Sequence, residues 1–598
     1  MTVVADAIPP EPAPAASKEP WRRRFLRGLL YGKNVDRSAK AKARIGLVML
    51  MFAVGYAVVA GRLILFATVP DSHIVRRIVS QDALATARPD ILDRNGEILA
   101  TDVRTPSLFG EPNRIIDVDE AAELLTAVMP DLDATELRER LGSKRRFVWL
   151  KREITPKQRA EIHRLGLPGI GFLPENKRIY PSGPEVSHII GHVNIDNQGI
   201  AGIEKWLDGR GLADLHMAGL ATDRLQKPVE LAVDLRVQHA MRDELIAARD
   251  KYKAKAAAGL VTDVRTGEVL AMVSVPDYDP NNPREALDPT RINRLTTGVY
   301  EMGSTFKAMT IAMALDSGKV TLGSTFDARM PLRFGKFNIH DFHAQNRVLT
   351  VPEIFTYSSN IGAARSALAV GVEGHKAFLR KIGQLERLRT ELPESAEPIV
   401  PKRWGELNTI TIAFGHGLSV APLQAVMGVA ALMNGGIMLP PTFLKRSEEE
   451  ARALGRRVIK SETSDKMRYL MRLNVEKGSA SKADVQGYYV GGKTGTAEKV
   501  VGGRYSKTKV LSDFMAVLPA DQPRYLVLIM LDEPQPIPET HGFATSGWNA
   551  VPAGAAVIAR IAPLLGLAPR FELPPADQLI LAAMKSPLKP ALASGSTN

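Results

Sequence analysis

Cysteine is absent from all 598 residues. That absence excludes a disulfide framework, a zinc–thiolate site and a cysteine nucleophile. Histidine is sparse, eleven residues scattered along the chain. The one close pair, His340-Asp-Phe-His343, has no second cluster to complete a metal site, so neither a metal nor another cofactor is expected. No segment of 20–50 residues recurs, which excludes a solenoid or propeller. Acidic residues are in deficit and the net charge is +13, a balance that raises nucleic acid as a partner. Its distribution argues against one. Residues 1–44 carry ten Lys/Arg against four Asp/Glu, and the other 554 residues share only +7.

Long apolar runs are equally scarce, and a single one reaches membrane length. It spans residues 45–66, with no charge before Arg62. Twenty-two helical residues cover about 33 Å, against about 30 Å of hydrocarbon. Arg62 falls near one end, where its long side chain reaches the interface. A cleaved signal peptide has an apolar region of about 7–15 residues and a small-residue cleavage site. This run is longer and has no convincing site, so an uncleaved anchor is expected. The basic flank, Trp21-Arg-Arg-Arg-Phe included, keeps the N-terminus cytoplasmic and sends the rest outside.

The remaining composition, 45% hydrophobic and 24% charged, is ordinary for globular domains, and the length suits two folded units with appendages. The expected organisation is a disordered basic tail (1–44), the transmembrane helix (45–69), an elongated pedestal of mixed structure (70–235), an α/β (α+β) catalytic domain (236–570) and a disordered tail (571–598). Asn95-Gly96 between apolar runs predicts a hairpin over 91–100. Arg265-Thr-Gly267 predicts another between two strands, and further strands are expected at 488–500, 513–518 and 525–531. Strands at both sequence ends with helices between them imply one sheet with a helical insert.

Three short motifs stand in order. Ser304-Thr-Phe-Lys307 is followed 54 residues later by Ser358-Ser-Asn360, and 189 residues after Ser304 by Lys493-Thr494-Gly495. Each fragment alone is weak. S-x-x-K also occurs at Ser479, Ser506 and Ser586, but only the Ser304 copy opens a helix-like apolar run, stopped by Gly318. The third motif has a rival reading, because residues 487–494 fit G-x-x-x-x-G-K-[ST]. A phosphate-binding loop needs a core strand before it and a helix after it. Here EKGSASKADVQ precedes, Gly495 follows, and the two tyrosines suit a strand better.

Ser304 and Lys307 lie three apart, on one face of a helix. A serine hydroxyl attacks well only when a neighbouring base takes its proton. Lys307 serves as that base only when neutral, and burial, the helix N-terminus and a second cation such as Lys493 all favour that form. In this arrangement Ser358 relays a proton between Lys307 and the leaving amine, and Asn360 offers its amide to a peptide backbone. Lys493, Thr494 and Thr496 grip a substrate carboxylate along a strand edge that includes Gly495. The backbone N–H groups of Ser304 and Thr496 form the oxyanion hole.

The ordered set resembles that of the class B penicillin-binding proteins, in particular the septal, division-specific D,D-transpeptidases of the FtsI type. Beyond the triple, RPDILDRNGEILA at 88–100, NKRIYP at 176–181 and GHVNIDNQGIAGIE at 191–204 resemble pedestal motifs of that group. AFGHGLSVAPLQ at 413–424 and Gly547-Trp-Asn549 resemble stretches of its catalytic domain. Met302 stands where many members carry proline. The resemblance implies a serine D-Ala-D-Ala transpeptidase of the bacterial inner membrane, with its catalytic domain in the periplasm at the division site. Its implied partners are peptidoglycan stem peptides, β-lactams, an FtsW-type glycosyltransferase and other divisome membrane proteins, with no nucleic acid. The alternatives are the elongation-specific class B enzyme and a non-catalytic β-lactam sensor or septal scaffold. A class A β-lactamase lacks the anchor and pedestal, and a bifunctional enzyme needs a glycosyltransferase domain that this sequence does not display. Charges set in the apolar pedestal stretches, Arg94 and Glu204 among them, are expected to be exposed and to face a partner or stabilise the pedestal.

Overall fold

A computed structural model of the chain describes Trp21 and residues 37–68, 88–209 and 227–585. The chain divides into two units, Met1–Asp82 and Ala83–Asn598. In the first, helix α1 runs over Arg37–Thr68, so helix begins eight residues before the expected anchor and the stretch 37–44 is not disordered. Its segment Ile45–Leu63 has mean hydropathy 1.9 and is not buried, and so is long and apolar enough to cross a membrane. The tail expected at 1–20 and the cluster at 22–24 lie outside the described residues.

The second unit opens with the pedestal. Strands β1 (Ile91–Leu92), β2 (Ile98–Gly110), β3 (Val148–Lys151), β4 (Ile170–Ile179) and β5 (Val229–Glu230) form one sheet. The hairpin at Asn95-Gly96 is present, pairing Ile91 with Ala100. Helix Val118–Val128 is capped by Asp117, which accepts from the Asp119 and Glu120 amides, and it buries Ala121, Ala122 and Leu125. Those side chains pack with Leu108, Leu137 and Leu141 into a core of the pedestal's own.

Glu204 is not exposed as expected, and of the two expected roles it takes the stabilising one. Its carboxylate is fully buried and pairs with Arg88 Nε at 2.8 Å and Arg178 Nε at 2.7 Å. Arg88 also donates to the Asn197 and Glu204 carbonyls, and Arg178 to Asp102 and the Pro89 carbonyl. Arg94 turns inward as well, 3.8 Å from Glu268 of the catalytic region, and donates to the Ala232 carbonyl. These charges tie the pedestal together. Desolvated ions persist in a protein only when each finds a partner, and these do.

The catalytic region is built on an antiparallel five-stranded sheet. Its strands are β6 (Ala256–Asp263), β7 (Val269–Val275), β8 (Gly491–Val501), β9 (Arg504–Leu518) and β10 (Tyr525–Asp532), in spatial order β8-β9-β10-β6-β7. Strands from the two sequence ends therefore adjoin, β10 against β6. Side chains alternate across a strand with period two. Ala257, Val261, Val527, Ile529 and Leu531 join one core with helices α2 (Leu235–Lys251) and α7 (Ala550–Leu564). Ala258, Leu260, Leu526, Leu528 and Met530 join the other, with α3 (Lys307–Asp316), α5 (Pro422–Met433) and α6 (Ser461–Lys477). Buried on both faces, β6, β7 and β10 read as nearly unbroken apolar runs, and β8 is left as an edge.

Ordered chain also continues past the expected limit at residue 570. Ala576 and Ile580 are buried, Tyr489 donates to the Pro574 carbonyl, and Tyr469 donates to Asp577. Residues 586–598 lie outside the described residues.

Candidate active site

The three motifs meet where α3, the N-terminus of α4 (Asn360–Val370) and edge strand β8 converge. Ser304 is not in the α-helix itself. Residues Gly303–Phe306 form a 3-10 turn that leads into α3 at Lys307. Three residues per turn eclipse positions i and i+3. That geometry sets Lys307 Nζ 3.0 Å from Ser304 Oγ. Gly303 is required here: its φ is +53°, and a Cβ would lie 2.8 Å from the Thr496 carbonyl oxygen.

Ser358 also takes a left-handed conformation, φ +57°, which is uncommon for a residue with a side chain. The bend carries its carbonyl to 2.5 Å and its hydroxyl to 3.1 Å from Lys307 Nζ. Ser359 caps α4, accepting from the Gly362 amide and donating to Asp341. Asp341 also accepts from the Ile361 amide. So held, Asn360 sends Oδ1 to Lys307 at 2.8 Å and donates through Nδ2 to the His340 carbonyl. The His340–His343 segment thus braces the serine/asparagine motif, and no group of three metal-ligating side chains is present among the described residues.

Lys493 reaches from β8 to Ser358 Oγ at 3.0 Å and to the Thr494 carbonyl at 3.3 Å. Thr494 Oγ1 is 2.7 Å from Ser479 Oγ, which donates to Asn474. Thr496 Oγ1 accepts from the Ser546 amide. Lys493 belongs to a strand with strand on both sides of the motif, so residues 487–494 are no phosphate loop. The Thr496 carbonyl lies against Gly303, away from β9, and the N–H of a strand residue points to the same side as its carbonyl. Both backbone groups of Thr496 therefore face Ser304.

Both lysines are buried. Burial holds Lys307 well below the usual lysine range, and the Lys493 charge lowers it further against an opposing pull from Asp341. Burial brings Lys493 down to about 7, opposed by Asp513. The contacts of Lys307 fit a neutral amine. Two of its neighbours, Ser358 O and Asn360 Oδ1, are carbonyl oxygens that only accept. An amine spends its two protons on them and keeps its lone pair for the Ser304 hydroxyl.

Ser304, Lys307, Ser358, Asn360, Lys493, Thr494, Gly495 and Thr496 are all brought into this one site. Sequence reasoning missed Asp341, which it read only within a histidine pair, and Ser479, which it set aside as a stray S-x-x-K. Lys482 of that stray copy instead lies 3.2 Å over the Trp548 ring. Asp513 was missed too: it sits fully buried across the sheet from Gly495.

Comparison with known proteins agrees with this geometry. Residues 257–550 match the penicillin binding protein transpeptidase domain, and 84–208 match the penicillin-binding protein dimerisation domain. The chain is 42% identical over 504 residues, 81% of its length and 83% of the relative's, to the probable peptidoglycan D,D-transpeptidase FtsI of Caulobacter vibrioides. It is 32% identical over 581 residues, 93% and 97% of the two chains, to the probable peptidoglycan D,D-transpeptidase PenA of Neisseria gonorrhoeae. The fold matches the crystal structure of a peptidoglycan synthetase from Bifidobacterium adolescentis with a TM-score of 0.64 at 23% identity, over 82% of this chain and 98% of that one. The chain belongs to the class B penicillin-binding proteins, serine acyltransferases that carry a dimerisation domain ahead of the transpeptidase domain.

Proposed function

We propose that the protein is the septal peptidoglycan D,D-transpeptidase of its cell, cross-linking stem peptides through an acyl-enzyme on Ser304. The observation that carries this reading is Lys307 Nζ, 3.0 Å from Ser304 Oγ with two carbonyl oxygens engaging its protons. Ser304 Oγ attacks the carbonyl of the penultimate D-alanine while Lys307 takes its proton. The backbone N–H groups of Ser304 and Thr496 hold the oxyanion. Ser358, about equally distant from both lysines, passes the proton to the departing D-alanine amine. Lys493, Thr494 and Thr496 bind the donor's terminal carboxylate beside Gly495, and Asn360 binds its backbone. An acceptor amine then reverses the path: its proton returns through Ser358 to Lys307, which delivers it to Ser304 Oγ as the new amide forms and the ester breaks, restoring the hydroxyl and the neutral amine. A β-lactam enters by the same first half and stays as an ester. Benzylpenicillin should therefore add one ligand mass to the peptide containing Ser304, and labelling that persists in a folded Ser304→Ala variant would refute the assignment.

The basic flank of α1 supports an inner-membrane anchor with a cytoplasmic N-terminus and a periplasmic catalytic domain. A reporter active only outside the cytoplasm should work when fused after about residue 90 and fail at about residue 40. Septal placement implies an FtsW-type glycosyltransferase and other divisome membrane proteins as partners. Depletion should then give cells that elongate without completing septa; rounded cells that still divide would point to the elongation enzyme.

A further inference from the structure

The catalytic cycle above leaves one fully buried carboxyl beside the site unused. Asp513 sits on β9 directly across from Gly495 and has no exposed surface. A Cβ on Gly495 would lie 2.4 Å from each Asp513 carboxyl oxygen. The glycine of the Lys-Thr-Gly motif is thus the opening through which this carboxyl packs against β8. Neither of its oxygens has a hydrogen-bond partner among the described residues. The Thr305 hydroxyl, close enough to favour the ionised form, donates instead to the Met302 carbonyl at 2.7 Å. A buried carboxyl left without donors is costly, so an unpartnered one asks for a functional explanation.

Asp513 is diagonal to Lys493, two residues along the paired strands. No salt bridge joins them, yet each opposes the other's burial shift. Other groups facing the pair are few. Lys307 approaches Lys493 through Ser358 Oγ, and the Phe355 ring lies 5.7 Å from the Lys493 ammonium. Thr305 flanks Asp513, Met530 is its partner on β10, and Ser546 donates to its backbone carbonyl. Asp341 acts on Lys307 and not on Lys493. His416, near Lys307, is held neutral by burial, its pKa brought down to about 4.

The site therefore holds two buried amines and one buried carboxyl whose charge is felt at only one of them. We infer that Asp513 is a positioning residue that keeps the site's mobile proton on Lys493 and so off Lys307. The inference rests on the transpeptidase reading. A cationic Lys493 does two things: it receives the donor carboxylate, and it repels a proton from Lys307, leaving that amine free for Ser304. Burial, net of their pull on each other, puts Lys493 down to about 7 and Asp513 up to about 8, so the two compete for one proton near neutrality. An arriving carboxylate decides the competition, because only the lysine can face it as a cation.

The test is the pH profile of acylation by a fluorescent penicillin, with the full-length protein in detergent, for wild type and Asp513→Asn. Without the carboxyl, Lys493 loses its proton at lower pH, so the alkaline limb moves down. On the acid limb Asp513, pushed up to about 8, is protonated in wild type as well, so that limb stays where it is. The profile narrows from the alkaline side, and a one-unit move of that limb is a tenfold loss on that flank. A profile that coincides with wild type, or that falls by one factor at every pH, overturns the inference and leaves Asp513 a packing residue. If Asp513→Asn does not melt cooperatively, Asp513→Ser is read the same way. If neither folds, infrared difference spectra of aspartate-labelled wild type on adding D-alanyl-D-alanine must show a carboxylate forming or already ionised, and a carboxyl that stays protonated overturns it. Failure of the underlying reading is distinct: wild type then takes no label on Ser304 at any pH.

Discussion

The pedestal and the active site bury charge in opposite ways. In the pedestal, Glu204 is enclosed by Arg88 and Arg178, and the guanidiniums spend their remaining donors on Asp102, Asp208 and backbone carbonyls. At the site, two lysines lie beside one another with Ser358 between them, and among the described residues no carboxylate comes within ion-pairing distance of either. The carboxyl on the neighbouring strand, Asp513, takes no hydrogen bond from the described residues. Paired charge fixes a conformation. Unpaired charge shifts its pKa, and chemistry draws on that shift.

Removing the reactive amine breaks the comparison hardest. Lys307→Met should cut penicillin acylation by about 10²–10⁴-fold, the range of general-base contributions, while thermal unfolding stays level or rises. Glu204→Gln should do the reverse. It leaves two buried guanidiniums short of a countercharge, a loss of about 3–5 kcal/mol in denaturant unfolding, with acylation per folded molecule unchanged. A Glu204 variant that acylates slowly while fully folded would mean the pedestal cluster reaches the site.

Asp341→Asn sharpens the contrast from within the site. It removes the charge that receives the Ser359 hydroxyl and the Ile361 amide, bonds that hold Asn360 toward Lys307. A charge-assisted bond is worth about 1.5–3 kcal/mol, so acylation should fall about tenfold or more at neutral pH. Arg94→Gln is the smallest case. Its side chain is 30% exposed and 3.8 Å from Glu268, a pair worth about 0.2–1 kcal/mol, with no change in acylation.

Much of this was legible in the sequence, for a reason visible in the residues. Ser304 and Lys307 lie within one turn of each other, so spacing alone implies contact, whereas Ser358 and Asn360 meet only through Lys307. Lys493-Thr494-Gly495 reads as a strand because tyrosines and glycines precede it where a phosphate loop needs a buried strand. Asp513 was invisible because it meets Gly495 only through the register of β8 on β9. Ser479 likewise reaches Thr494 across a loop that no local pattern encodes. Glu204 misled in the other direction: a charge in an apolar stretch looks like a surface residue until its arginine partners, 116 and 26 residues away, are in view. The 3-10 turn at Ser304 was missed because an i, i+3 pair suits either helix type.

The central claim is that Lys307 is a neutral amine in the resting site, and the acid limb of wild-type acylation tests it most directly. Burial and the neighbouring Lys493 lower its pKa, so the proton that blocks it is bound only at low pH. Below the alkaline limb set by Lys493, acylation of Ser304 should therefore hold level as pH falls, then drop tenfold per unit once pH passes below the lowered value. An ordinary lysine gives a different curve. A rate that climbs tenfold per unit from neutrality up to about pH 10 would show that Lys307 is charged at rest, and would contradict the account.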